Sequence, residues 1–72
     1  MTPFETAKEH FARTDDLLLV QVNGNDWLLN KMWFKAWVRG DEKIFLHTIN
    51  KFGNRAVKLI LTKNITIKKE IK

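Results

Sequence analysis

Trp27, Leu29, Lys31, Trp33, Lys35, Trp37 and Arg39 stand at every second position of one stretch, so aromatic and cationic side chains alternate along it. Read as a β-strand, this set occupies one face, because successive side chains point to opposite sides. Met32, Phe34, Ala36 and Val38 then form an apolar second face. The three Trp give no clean polar stripe at a 3.6-residue period, so the extended reading is preferred. Trp between Lys and Arg can stack nucleobases and neutralise phosphates. The same residue types are favoured at subunit interfaces. Trp33, Trp37 and Trp27 are therefore candidates for either role.

Other chemistry has little to work with. The 72 residues include no Ser, Cys or Tyr, and His10 and His47 are the only histidines. His10 reads as a solvated helix residue and His47 as a packed or interface residue of a strand. Nucleophilic catalysis needs a nucleophile, a base and an orienting group, and the sequence singles out no such set. Asp15 and Asp16 are adjacent, and Asp41 and Glu42 fall in a turn, where Asp serves local hydrogen bonds. The spacing of Asp41, Glu42 and His47 does not support a metal site, and no Gly-rich phosphate loop is present. The expectation is a protein without catalysis, cofactor, metal or small-molecule substrate.

The net charge of +5 is uneven: residues 1–30 carry −3, residues 31–50 carry +2 and residues 51–72 carry +6. A basic end of this kind points to a polyanion such as nucleic acid. Lys35 and Arg39 on the Trp-rich stretch, Lys43 after its turn, and Lys63 with Asn64 at the last turn are the candidate contacts. No apolar run approaches the ~20 residues that cross a bilayer, and no signal-peptide core opens the chain. A soluble, cytoplasmic protein with no membrane partner is expected.

The elements that must position these groups are short. Thr2, Pro3 and Glu5 form a capping box with Pro at the first helical position, opening a helix over 2–14. Phe4, Ala7, Phe11 and Ala12 make its narrow apolar stripe, and Glu9 and Arg13 are spaced for an ion pair. Five strands follow. Leu17–Val22 is apolar enough for burial on both faces. Asn23-Gly24-Asn25-Asp26 is a turn, and the Trp-rich strand extends to Val38. Arg39-Gly40-Asp41-Glu42 is a second turn. Lys43–Ile49 places Ile44, Leu46 and Thr48 opposite Phe45, His47 and Ile49. Gly53-Asn54 makes another hairpin turn before Ala56–Leu61. After the break at Thr62-Lys63-Asn64, Ile65, Ile67, Lys69 and Ile71 alternate with Thr66, Lys68, Glu70 and Lys72.

The fold class is thus mainly β: one domain over 1–72, a short N-terminal helix and a five-stranded, strongly bent antiparallel barrel over 17–72. Sm-like, SH3-like and OB-type barrels fit that order. Closure would remove the two bare edges of an open sheet. A chain this short buries only about 60% of its unfolded surface, so oligomerisation is an expected source of further core.

Thr2-Pro3-Phe4, Leu19-Val20-Gln21-Val22-Asn23-Gly24, Asp41 with Ile44-Phe45-Leu46, and Ile60-Leu61-Thr62-Lys63-Asn64-Ile65 occur in an order that resembles the Sm-like family. The bacterial host-factor (Hfq) branch is the nearest in pattern. Lys63 is similar to the Lys of the bacterial Tyr-Lys-His motif. Asn64-Ile65 is similar to the end of the archaeal and eukaryotic Ile-Arg-Gly-x-Asn-Ile motif.

The resemblance implies an RNA-binding homo-oligomer, a ring of about five to eight subunits closed by rotation, with the fourth strand of each subunit paired to the fifth of the next. Val57, Leu59 and Leu61 would lie on one side of that junction and Ile65 and Ile67 on the other. It also implies that single-stranded, U- or A-rich RNA contacts the pore through residues near Asp41 and the turn at Lys63 and Asn64. Glu42 and Lys43 stand where the bacterial branch has Gln-Phe, so the stacking ring is replaced by a cation. The span from Gly24 to Asp41 is several residues longer than in that branch, as is the span from Asp41 to Lys63. Two alternatives stand beside this reading. One is a protein–protein interaction module using the Trp-rich strand. The other is a monomeric OB-type single-strand binder.

Overall fold

The computed structural model describes residues 2–49 and 55–67. Helix α1 spans Pro3–Arg13. The Thr2 hydroxyl accepts the Glu5 amide at 3.2 Å, and the Glu5 carboxylate accepts the Thr2 amide in return at 3.5 Å. The box read from sequence therefore forms and satisfies orphan donors of the first turn. Ala7 and Phe11 are buried, whereas Ala12 is exposed. The Arg13 guanidinium donates to the Glu9 backbone carbonyl at 3.4 Å, not to its carboxylate. Beyond the helix, the Thr14 hydroxyl accepts the Asp16 amide and the His10 ring donates to the Asp16 carbonyl at 2.8 Å, which turns the chain into the sheet.

Strands β1 (Leu18–Val22) and β2 (Asn25–Leu29) pair antiparallel, with Val22 opposite Asn25. Their loop is the two residues Asn23 (φ 52°) and Gly24 (φ 83°). Positive φ at both positions matches the right-handed strand twist, and Asn-Gly tolerates it. Asn25 and Asp26, read as part of the turn, are the first residues of β2. Val20 and Val22 are buried while Leu19 and Gln21 are half-buried, so β1 has one sealed face rather than two.

The Trp-rich stretch corrects the sequence reading. β2 ends at Leu29, and residues Lys31–Val38 form a second helix, α2. The Asn30 side chain caps it by accepting the Trp33 amide at 2.8 Å. From Lys31 to Trp37 no residue is β-branched, and Lys, Met and Ala are good helix formers. The helix stops in a Schellman motif: the amides of Gly40 and Asp41 donate to the carbonyls of Trp37 and Ala36 at 3.0 and 3.1 Å. Gly40 sits at φ 100°, the left-handed position that favours glycine at this site. Helical geometry dissolves both expected faces. Phe34 is buried, but Met32 is 74% exposed and Val38 57% exposed.

Strands β3 (Lys43–Ile49) and β4 (Arg55–Leu61) form a long hairpin whose register runs from Lys43↔Leu61 to Ile49↔Arg55. A 3-10 turn, Thr62–Asn64, leads to β5, Ile65–Ile67, which pairs with β1. The sheet is antiparallel throughout, in the order β4-β3-β2-β1-β5. It is not closed into a barrel: β4 and β5 are opposite edges. β2 reaches β3 at a single pairing, Leu28↔His47, because the chain leaves the sheet at Asn30 to enter α2. The turn at Gly53-Asn54 and the residues from Lys68 to Lys72 lie outside the described part.

One core joins both helices to the sheet, built from Ala7, Phe11, Val20, Val22, Leu29, Phe34, Ile44, Leu46 and Ile65. Its aromatic corner is helical. Phe34 stacks on Phe11 at 5.2 Å and lies 5.5 Å from Phe4, and Trp37 meets Phe4 edge-on at 5.5 Å. Such pairs add roughly 0.5–1.5 kcal/mol each beyond area burial. Ile44 and Leu46, which the strand alternation sets on one face, point into this core.

Candidate nucleic-acid interface

The α2–β3 connection and the 3-10 turn come together through one carbonyl. The Glu42 backbone oxygen accepts the Thr62 amide at 2.8 Å and the Thr62 hydroxyl at 3.2 Å. With Lys43 opposite Leu61, this brings Asp41 and Lys43 alongside the turn that carries Lys63 and Asn64. Lys43, Lys63 and Asn64 are exposed. Four residues distant in sequence but singled out there therefore share one end of the β3–β4 hairpin.

Arg39 and Asp41 belong to the same end but are occupied with each other. The guanidinium donates to the carboxylate at 2.7 Å. That hydrogen bond, aided by the attraction between the charges, holds the Asp41 carboxyl below its ordinary range and raises Arg39. The pair is solvent-exposed, so its contribution to stability is small. Among the described residues at this end, Lys43 and Lys63 are then the cations whose charge is available to a polyanion. Glu42, immediately before Lys43 in sequence, opposes phosphate.

Lys35 lies elsewhere. With Lys8 and Lys31 it borders a cleft between α1 and α2 that is also lined by Phe11, Ala12, Phe34 and Val38. Lys31 donates to Asp15 at 2.9 Å, and that bond lowers the Asp15 carboxyl.

The three Trp do not form the expected row, because α2 sends them to different neighbours. Trp33 covers His47 at 4.4 Å between ring centroids and Phe45 at 5.8 Å. Trp37 packs into the Phe4–Phe34 corner. Trp27 stays on β2, half-buried, with its indole nitrogen buried and lacking a hydrogen-bond partner among the described residues. His47 is a packed residue whose Nδ1 is likewise buried and unpartnered there. Trp33 and Trp37 thus serve helix–sheet and helix–helix packing, and an open stacking ladder does not arise.

The residues expected at the subunit junction divide by burial. Ile65 is buried and Ile67 half-buried on β5. On the free edge β4, Val57 and Leu59 remain 47% and 51% exposed. Across the hairpin, Phe45 lies opposite Leu59 and is 46% exposed. These three form a half-exposed apolar patch on the side of the hairpin away from Ile44 and Leu46, bordered by Trp33 of α2.

Sequence reasoning missed the cleft and the open Phe45. The signal for the cleft was Asn30 three residues before Trp33 with Gly40 past the last turn, a cap at each end of one helix. Among the described residues no group of three His, Asp or Glu side chains is placed to hold a metal ion. No helix there is long and apolar enough to cross a membrane. Compared with protein-family models, curated proteins and solved structures, the chain matches none.

Proposed function

We propose that this protein is a non-catalytic, single-strand RNA-binding subunit of a homo-oligomeric ring of the Sm-like kind. The observation that carries the reading is the joining of two loops by Glu42 and Thr62, which sets Lys43 beside Lys63 and Asn64 at one end of the sheet. A ring repeats that end around its axis, multiplying a weak cationic site into a polyanion track.

The edges favour head-to-tail growth. β4 carries the cation Lys58, and two copies of β4 paired with each other would set like charges close together. The described residues of β5 (Ile65, Thr66 and Ile67) are neutral, so β4 on β5 avoids that repulsion. Covering the exposed half of Val57 and of Leu59 is worth about 1 kcal/mol each by area. Among the described residues, the order of the sheet leaves both of these edges without a neighbouring strand.

The test has two arms. Light scattering at high micromolar concentration is expected to give a multiple of the 8.5 kDa chain mass. A particle of the single-chain mass would refute the ring. Fluorescence anisotropy with oligo-U and oligo-A across a salt series is expected to show binding that weakens with salt. Lys63→Glu should weaken it about tenfold and flatten the salt slope. Salt-independent binding, or none at low salt, would refute the RNA site.

A further inference from the structure

We propose that the cleft between α1 and α2 is a docking site for an acidic protein segment that inserts aliphatic side chains, separate from the cationic end of the sheet. The cleft holds about 220 Å³. Phe11 and Phe34 are its floor, 4% and 5% exposed, and Ala12 and Val38 are its exposed apolar walls. That space takes one or two aliphatic side chains. Lys8, Lys31 and Lys35 stand around it. Lys31 is paired with Asp15, whose charge also acts on Lys35, whereas Lys8 and Lys35 form no hydrogen bond or close ion pair with a described residue.

An apolar floor flanked by Lys8 and Lys35, neither held in a close ion pair, is complementary to carboxylates flanking an aliphatic anchor. An amphipathic acidic helix laid along a two-helix groove presents that pattern at i and i+4. Nucleic acid fits less well. Phe11 and Phe34 face each other at 5.2 Å with their rings buried, so neither offers an open plane for a base. The site also depends on α2, which forms within the stretch that is long relative to the resembled family, so it is surface that the ring reading does not use.

A fluorescently labelled, Glu-rich helical peptide with leucines at i and i+4 is the probe, titrated into the full chain. Binding is expected, and at least tenfold weaker for the same peptide with both leucines changed to Ser. Lys8→Glu with Lys35→Glu should weaken it at least tenfold, as should Val38→Asp, and Val38→Asp should leave oligo-U affinity unchanged. All three positions are solvent-exposed, and thermal unfolding of each variant checks that it folds. Amide shifts on peptide addition should centre on Lys8, Ala12, Lys35 and Val38.

Four results would overturn the proposal: no binding, equal binding of the Ser peptide, displacement of the peptide by oligo-U, or loss of self-association in the Lys8→Glu/Lys35→Glu variant. The last would assign the cleft to a second copy. Failure of the ring or of RNA binding leaves these peptide measurements unaffected, so the two readings fail separately.

Discussion

Helix α2 and the β3–β4 hairpin each keep one side in the core and turn the other to solvent, yet their outer sides differ in kind. The outer side of α2 carries Lys31, Lys35 and Arg39 among Met32 and Val38, so its apolar groups are interrupted by charge. The outer side of the hairpin carries Phe45, Val57 and Leu59, which are apolar and adjacent. An antiparallel sheet with a solvated face normally places polar residues there. The contrast teaches that charge on α2 breaks up its apolar groups, while those of the hairpin lie together. An exposed apolar patch beside an unpaired edge strand is otherwise an aggregation risk.

Substitutions can break or sharpen that contrast. The largest effect is expected from Phe34→Ala, at about 3–5 kcal/mol, against less than about 0.5 kcal/mol for Met32→Ala. Urea unfolding of the two proteins decides it. Equal losses would restore the strand reading, which sets Met32 and Phe34 on one face. Next is Leu46→Ala on the sealed side of the hairpin, at about 2–5 kcal/mol, against under about 1 kcal/mol for Leu59→Ala on the open side. The second substitution should instead lower the mass seen by light scattering. If Leu59→Ala costs as much subunit stability as Leu46→Ala, the open side is not open.

Removing the α2 cap with Asn30→Ala should cost about 1 kcal/mol, read in the same urea series. No loss would mean that α2 is held by packing alone.

The smallest effects are electrostatic. Asp15 and Asp41 are held below the ordinary carboxyl value by Lys31 and Arg39. A carboxyl depressed in the folded state contributes stability above its unfolded value of about 3.9 and loses it as pH falls through the folded value. Carboxyl chemical shifts should therefore titrate below that value in the native protein. Lys31→Ala should return Asp15, and Arg39→Ala should return Asp41, to the ordinary range. Both pairs are exposed, so melting temperature near neutral pH should scarcely move. A large change on Arg39→Ala would assign that pair a structural role.

Much of the fold was legible because its signals are local. Thr2, Pro3 and Glu5 determine where α1 begins through hydrogen bonds within one turn. Asn23-Gly24 determines the β1–β2 hairpin through backbone φ alone. Alternation along Lys43–Ile49 separated Ile44 and Leu46 from Phe45, but which of the two faces is buried was decided by the fold. At the candidate site, the residue types at Lys43, Lys63 and Asn64 were visible as a cation pair and an amide near predicted turns. Their proximity was not, since it depends on a hydrogen bond between Thr62 and Glu42, twenty positions apart.

The stretch 27–39 marks the boundary between the two kinds of information. By itself, the sequence determined a cationic, Trp-rich, amphipathic segment with a capping Asn before it and a Gly after it. Its alternation favoured the period-two placement, although a helical one buries Phe34 as well. Only the tertiary structure decided between them. As a helix, the segment closes an aromatic cluster with Phe4 and Phe11 from α1, contacts that no strand in the β2 position could make from the same residues. Sheet closure was likewise beyond a one-dimensional pattern. Alternation says which side chains face inward, but whether β4 meets β5 depends on the bend of the whole sheet, and in this subunit they remain apart.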